Sequence, residues 1–376
     1  MPSSNQHLLN TSWTLHRLSP LHHGKEYQSL LDNPVALNTY ATRLRDQLTG
    51  NAVSSISTTA ADDESLSRTG ALKSCVWEIL PSLSLLDTST TASTALDHPI
   101  AAGISVTLEY ENITYKAALL APLPGDDDRR KAKGKGKATE TTSTSTDLPL
   151  LMTRFPNPLR QTFLSFLSAN FDTYVSNLRL SSNFMCSALE TYLRVLNLAY
   201  HDPESEPAPD RRVQRQILED LVKELQLTIA FSPAVAPALR SLNVNVPRAS
   251  LGRILLPARP GAGSESSVLK GLSDYIREQL AMDLDLAGDS ENSALVKQHV
   301  RVSKIACAGF NIAGEGRLKL VGLPSTGRSR DGEEGGDDDG EGGGLSEKRR
   351  LGLQANEALL RAVIRRATAS GEGQAS

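Results

Sequence analysis

The chain has 376 residues, with 40 basic and 43 acidic side chains for a net charge of −3, and 39% of its residues are hydrophobic. A chain of this length is expected to form two domains, and its hydrophobic content together with 27 glycines excludes wholesale disorder. Because it has neither an apolar run long enough to span a membrane nor a basic-then-apolar leader, we expect a soluble intracellular protein without a membrane partner.

The first third of the sequence predicts several strands and one helix. Asn33 before Pro34 is typical of a capped helix start, and apolar residues at helical spacing predict a helix that ends at Gly50. Trp13 and Trp77 lie on alternating stretches and are interpreted as core residues. Alternating apolar residues predict strands at 13–15, 75–79, 104–110 and 115–120, the last two joined as a hairpin.

The middle of the sequence predicts long helices. A second Asn-Pro pair begins a helix predicted over 158–178. Its helical spacing places Phe163, Phe166 and Tyr174 on one buried face. Ser182 can cap a further helix.

The last third predicts a sheet with two more helices. Apolar stripes predict helices over 269–280 and 353–366. Alternation predicts strands over 227–231, 242–246, 282–286, 300–310 and 317–321. Strands and helices mix without a strict βαβ rhythm, so the predicted fold class is α+β with a mainly antiparallel sheet and two subdomains.

Two stretches of biased composition divide the chain. Residues 123–148 are charged and rich in Ser and Thr, and 324–347 are acidic and rich in Gly, so neither can offset its ordering entropy by apolar burial. We therefore expect an N-terminal α+β domain at 1–122, a disordered linker at 123–148, and a C-terminal α+β domain at 149–376 that contains a disordered insertion at 324–347.

No pattern in the sequence predicts a catalytic, cofactor or metal site. Gly314-Glu315-Gly316 lacks the third glycine and the following helix of a dinucleotide loop, so it predicts a hairpin turn. The adjacent His22 and His23 have no further metal ligands nearby, and no nucleophile motif occurs. The three cysteines are far apart in sequence and are interpreted as buried thiols.

One basic run has two interpretations. Arg129, Arg130, Lys131 and Lys133 match a nuclear-import signal or an arm that contacts the DNA backbone, and a solvated linker has the same composition.

The residues at both ends resemble one known family. Residues 8–21 (LLNTSWTLHRLSPL), 225–231 (LQLTIAF), 242–247 (LNVNVP) and 300–321 (VRVSKIACAGFNIAGEGRLKLV) follow the order and spacing of the centromere protein L family in its fungal form. The two charged insertions depart from that pattern.

This resemblance implies a non-enzymatic scaffold of the inner kinetochore, located at the centromere in the nucleus. It implies pairing through the C-terminal sheet with a centromere protein N homologue, or with a second copy. The pair would connect the centromeric nucleosome or its DNA with other inner-kinetochore subunits. The pairing surface expected from it is an open edge near the end of the sheet, at Val302, Ile305, Leu318, Lys319, Leu320 and Val321.

The alternative is a nucleic-acid-binding module that contacts DNA directly through its sheet face and the 129–137 arm. The small net charge gives this alternative no support, because dedicated DNA-binding domains usually carry a strong basic excess.

Overall fold

The structure is a computed structural model that describes residues 6–25, 27, 29–53, 69–85, 102–123, 144–198, 211–255, 268–284, 286, 299–322 and 341–369. The basic residues predicted for nuclear import lie outside these residues, as do most of the two biased stretches. The chain divides into two compact units. The first unit comprises Ser12–Ser84, Ser89–Leu178 and Arg361–Ser376, and the second comprises Met1–Thr11, Leu85–Thr88 and Arg179–Leu360.

The first unit is an antiparallel sheet with two helices. Its elements are β1 (Ser12–Leu18), β2 (Leu21–His22), α1 (Pro34–Val53), β3 (Leu72–Leu80), β4 (Gly103–Tyr110), β5 (Thr114–Leu120), β6 (Ser145–Thr146), β7 (Leu150–Arg154), α2 (Asn157–Phe171) and β8 (Val175–Asn177). The strands lie in the order β1-β7-β5-β4-β3, and β8 pairs with β1. Every pairing is antiparallel, which confirms the predicted class.

An aromatic cluster forms the core of the first unit. Trp77 of β3 lies within ring-contact distance of Tyr40 from α1 and of Phe163, Phe166 and Phe171 from α2. All five side chains are buried. Aromatic pairs of this kind stabilise a fold beyond the burial of their surface area, so this cluster stabilises the packing of both helices against the sheet.

The helix predicted over 158–178 is shorter in the structure. It ends at Phe171, because Asp172 adopts the left-handed conformation (φ 45°, ψ 42°) that commonly terminates helices. The chain then forms β8, and Tyr174 is 74% exposed. The prediction of a buried face is correct for Phe163 and Phe166 and wrong for Tyr174.

Part of the stretch expected to be a disordered linker is ordered. Ser145 and Thr146 form β6, which pairs with β2. The Thr146 hydroxyl accepts a hydrogen bond from the backbone N–H of Leu30 and lies 3.1 Å from Nε2 of buried His23. β2 and β6 form a separate two-stranded sheet, after which the chain continues as β7 between β1 and β5 of the large sheet, so the observed units differ from the expected domains.

The second unit contains the C-terminal sheet. Its elements are α3 (Ser182–Leu198), α4 (Arg211–Leu221), β9 (Leu225–Phe231), β10 (Ser241–Val246), α5 (Arg248–Leu255), α6 (Val268–Leu280), β11 (Val300–Ala306), β12 (Phe310–Ala313), β13 (Arg317–Leu320) and the portion of α7 (Glu341–Thr368) before Arg361. The strands lie in the antiparallel order β10-β9-β11-β12-β13.

Three boundaries in the second unit correct the expectations. The run 300–310 is two strands separated by a turn, and residues 282–284 and 286 are not in a strand although Leu284 packs in the core beside β9. Helix α7 begins at Glu341, within the expected insertion. The hairpin turn at 314–316 is confirmed, and Gly316 adopts a φ of 83° that favours glycine.

Candidate pairing surface

Most of the residues expected to bind a partner are buried. Val302 and Ile305 of β11 and Leu318 and Leu320 of β13 are in the core, and Val321 is half-buried. Lys319 alone of this set has an exposed side chain. These side chains therefore hold the sheet to its own core, and only their backbone groups could pair with another chain.

The backbone at the end of β13 is also occupied. The carbonyl of Leu320 accepts a 2.7 Å hydrogen bond from the backbone N–H of Asn10, and Leu9 forms a parallel bridge with Leu320. Val321 donates its N–H to Gly309, and its carbonyl accepts a hydrogen bond from Nδ2 of buried Asn356. The expectation of an open strand edge at Leu320 and Val321 is therefore wrong.

The backbone N–H and C=O groups of Lys319 point toward β12, inside the β12–β13 hairpin. Val321 donates to Gly309 at 2.9 Å, and the ladder continues with Lys319 opposite Asn311. Residues in an antiparallel pair alternate between hydrogen-bonded and non-hydrogen-bonded positions, so the backbone groups of Lys319 face Asn311. A proline at Lys319 would break this hairpin rather than an intermolecular pairing.

β10 is an open edge at the other end of this sheet. In the described part of the chain it pairs only with β9. Phe231 donates its N–H to the carbonyl of Arg240 at 3.0 Å. By the same alternation, the backbone N–H and C=O groups of Ser241, Asn243 and Asn245 point away from β9. Such groups form a template for an additional strand.

The side chains of β10 are compatible with a further strand at its outer edge. Ser241, Asn243 and Asn245 are exposed, whereas Val244 and Val246 on the opposite face are buried. Val244 packs with Ile229 and Ile276 in a small core cluster. This packing fixes the register of β10, so its outward backbone groups are held in place.

The turn that connects β9 with β10 is apolar and exposed. Residues 233–239 (PAVAPAL) contain no polar side chain, and Val235 is 57% and Leu239 45% exposed. The turn is ordered by its own backbone: Val235 and Ala236 donate to the carbonyl of Ser232, and Leu239 donates to that of Ala236. Neither this turn nor the β10 edge was predicted from the sequence, although an apolar run between two strands was a readable signal.

One face of the second unit's sheet is basic. The register aligns Lys304 of β11 and Arg317 of β13 with Thr228 of β9, and Arg301 and Lys319 lie on the same face. These four cationic side chains are exposed or half-buried. No described strand residue on this face carries a carboxylate; Glu315 in the turn lies 3.7 Å from Arg317, an exposed pair of little energetic value.

Of the three thiols expected to be buried, Cys186 is buried and Cys75 and Cys307 are only partly so, and the latter two are poor nucleophiles. Burial raises the pKa of the Cys307 thiol to about 11, and burial likewise raises the pKa of Cys75 to about 11. Both groups are protonated at neutral pH, and the thiolate is the reactive form. Within the described residues no cluster of three His, Cys, Asp or Glu could hold a metal, and no helix is long and apolar enough to cross a membrane.

The comparison with known families covers nearly the whole chain. The family model of centromere protein L (CENP-L) matches residues 7–368. The chain belongs to the centromere protein L family. The match includes both units and confirms the resemblance carried by the first and last strands.

As a member of the centromere protein L family, the chain is a centromere and kinetochore protein located in the nucleus, with a role in chromosome segregation. The family is a structural one of the inner kinetochore. No curated protein matches the chain.

Proposed function

We propose that this protein is a non-enzymatic scaffold that pairs with a centromere protein N homologue, or with a second copy when that homologue is absent. The pair links the centromeric nucleosome to other inner-kinetochore subunits. One observation carries the proposal beyond family membership: among the residues that the structure describes, β10 ends the C-terminal sheet and pairs with β9 alone.

Pairing at β10 uses backbone hydrogen bonds. Ser241, Asn243 and Asn245 direct their N–H and C=O groups outward, so an antiparallel strand can join the sheet without any change in the core. This location replaces the edge expected at 317–321, where Asn10 and Asn356 already donate to the carbonyls of Leu320 and Val321.

The test of pairing replaces one outward backbone donor. Asn243→Pro removes the N–H that faces the partner, and proline is tolerated on an edge strand whose N–H points to solvent. Asn243→Ala is the matched control, because both variants lose the 2.8 Å hydrogen bond from the Thr228 hydroxyl to Oδ1 of Asn243. With the homologue co-expressed, we expect Asn243→Pro to lose the complex in size-exclusion chromatography and Asn243→Ala to keep it. A stable complex of folded Asn243→Pro would place the interface elsewhere.

The absence of enzyme activity is part of the proposal. The first unit has an open pocket of about 360 Å³ whose lining includes Arg17, Ser19, Asp147 and Tyr174 but no His or Cys. The partners of the Ser19 hydroxyl are the Thr173 hydroxyl and the backbone N–H of Tyr174, neither of which can act as a general base toward a serine nucleophile. Hydrolysis of ester, peptide or phosphate substrates by the pure protein would contradict this part of the proposal.

A second candidate function is direct DNA binding by the basic sheet face. Its support is the placement of Arg301, Lys304, Arg317 and Lys319 on one face. Four phosphate contacts should cost about 10²-fold in affinity between 50 and 200 mM salt. Arg301→Glu combined with Lys319→Glu should reduce the affinity for a DNA duplex and flatten the salt dependence, and unchanged affinity would exclude this face.

A further inference from the structure

One run of the sequence carries a concentrated negative charge. Residues 331–341 (DGEEGGDDDGE), here called the acidic run, contain seven carboxylates and no basic side chain, although the whole chain has a net charge of only −3. The run follows β13, whose last residue is Leu320, and it ends at Glu341, the first residue of α7. Both of these elements begin in the second unit, so the run connects two parts of that unit.

The basic sheet face belongs to the same unit. β13 supplies Arg317 and Lys319, and β11 supplies Arg301 and Lys304. β12 lies between the two strands, so the Cα atoms of the two pairs are about 10 Å apart, and those within a pair are about 7 Å apart. The Debye length at physiological ionic strength is about 8 Å, so these cations repel one another. An anionic segment laid across the face would relieve that repulsion.

The described residues neutralise little of this charge. Glu315 lies 3.7 Å from Arg317, and both side chains of this pair are mostly exposed. No other carboxylate in the described part of the chain forms an ion pair with the four cations. The face also carries Thr228 and Asn311, which are uncharged. A positively charged face and an excess of carboxylates therefore occur close together in one chain.

The connection is long enough for the acidic run to cross this face. Asn356 of α7 contacts the carbonyl of Val321, and Glu341 is fifteen residues earlier, about 22 Å along the helix. The nineteen residue steps from Gly322 to Glu341 can span up to about 60 Å. Since β11 is only about 10 Å from β13, the length in excess of the direct path is sufficient to reach both strands.

We infer that the acidic run is the resident ligand of the basic sheet face, where its carboxylates contact Arg301, Lys304, Arg317 and Lys319 and compete with external polyanions. Exposed ion pairs are individually weak, but a tethered ligand has an effective concentration in the millimolar range, and several pairs act together. The contact goes beyond the pairing at β10 and requires neither a partner chain nor bound DNA.

Carbodiimide cross-linking of the full-length protein tests the contact directly, because this reagent couples a carboxylate to an amine that touches it. We expect links from residues 331–341 to Lys304 or Lys319 in low salt, and about tenfold fewer in about 1 M salt, where the Debye length is about 3 Å. Lys319→Arg is the matched control: it keeps the charge and should lose only the link at 319. Links from the acidic run to other lysines alone, or no links, would overturn the inference.

Retention on immobilised heparin tests the competition with polyanions. Asp337→Asn combined with Asp338→Asn and Asp339→Asn should shift elution to higher salt. In protein that also carries Arg301→Glu and Lys319→Glu, the same three substitutions should produce little shift. Unchanged retention of the triple variant would show that the run does not compete for the face, and an equal shift in both backgrounds would show that it acts only through net charge. Failure of this face to bind DNA would leave the expected cross-links unchanged, so the two proposals are tested separately.

Discussion

The hydroxyl oxygen of Ser182, the first residue of α3, accepts a 3.1 Å hydrogen bond from the backbone N–H of Val302. The contact lies at a bulge in β11, where the pairing with β9 shifts between Val302 and Lys304. Ser303, the extra residue, donates its hydroxyl to the carbonyl of Thr228. Helix α3 thus supplies the acceptor for a backbone N–H at the bulge. Ser181 caps the same helix, because its hydroxyl accepts a hydrogen bond from the N–H of Phe184.

Replacing Ser182 should therefore destabilise the second unit. In Ser182→Ala the partly buried N–H of Val302 has no partner, which costs about 1–3 kcal/mol. The midpoint of urea unfolding should fall, and Ser182→Thr, which keeps the hydroxyl, should recover most of the loss. An unchanged midpoint in Ser182→Ala would mean that solvent reaches this N–H.

A glycine and a tyrosine are coupled at the β11–β12 turn. A Cβ at Gly309 would overlap the hydroxyl of fully buried Tyr192, and that hydroxyl has no hydrogen-bond partner. Gly309→Ala should cost about 1–3 kcal/mol by overpacking. Tyr192→Phe should be neutral or stabilising, because it removes a buried, unpaired polar group. In thermal melts the double variant should be less damaged than Gly309→Ala alone, and strictly additive effects would contradict the coupling.

His16 should make stability depend on pH. Burial is the main cause that lowers its pKa from 6.5 to about 4, and Arg160 adds to the effect. The folded state therefore favours the neutral ring, so this contribution is complete above pH 6.5 and is lost as the pH falls from 6.5 to about 4. His16→Gln, which does not titrate, should show a shallower decline in melting temperature over that range. A decline as steep as that of the wild type would show that other groups cause the pH dependence.

Two aromatic residues, one inside α2 and one beyond its end, should respond very differently to truncation. Phe163 is fully buried, so Phe163→Ala should cost about 3–5 kcal/mol. Tyr174 is 74% exposed, and Tyr174→Ala should change the unfolding free energy by about 0.5 kcal/mol or less. Chemical denaturation of both variants measures this contrast, and similar losses would contradict the early end of the helix.

Local patterns were sufficient for much of the fold. The alternation over 104–120 predicted the β4–β5 hairpin, and the spacing of Phe163 and Phe166 predicted the buried face of α2. The end of α2 was missed because Asp172 adopts a left-handed backbone that aspartate only occasionally visits. Nothing in the spacing of Phe171 and Tyr174 marks that change.

The open edge could not be found from local patterns. Alternation assigns Leu318 and Leu320 to the buried face, but the order of strands depends on contacts between distant residues. Asn10 closes the edge at Leu320 across more than 300 residues of sequence. The apolar turn at 233–239 was visible in the sequence and would have pointed to β10.

The first unit includes a segment from the end of the chain, and this has a consequence for synthesis of the protein. Its last segment begins at Arg361, and Arg17 donates a 2.8 Å hydrogen bond to the carbonyl of Ala369 just after α7. A ribosome adds about 5–20 residues per second, so roughly 10–40 s pass between Leu178 and Arg361. Throughout that interval the nascent first unit lacks its last segment, so the groups that this segment contacts, Arg17 among them, are accessible to chaperones.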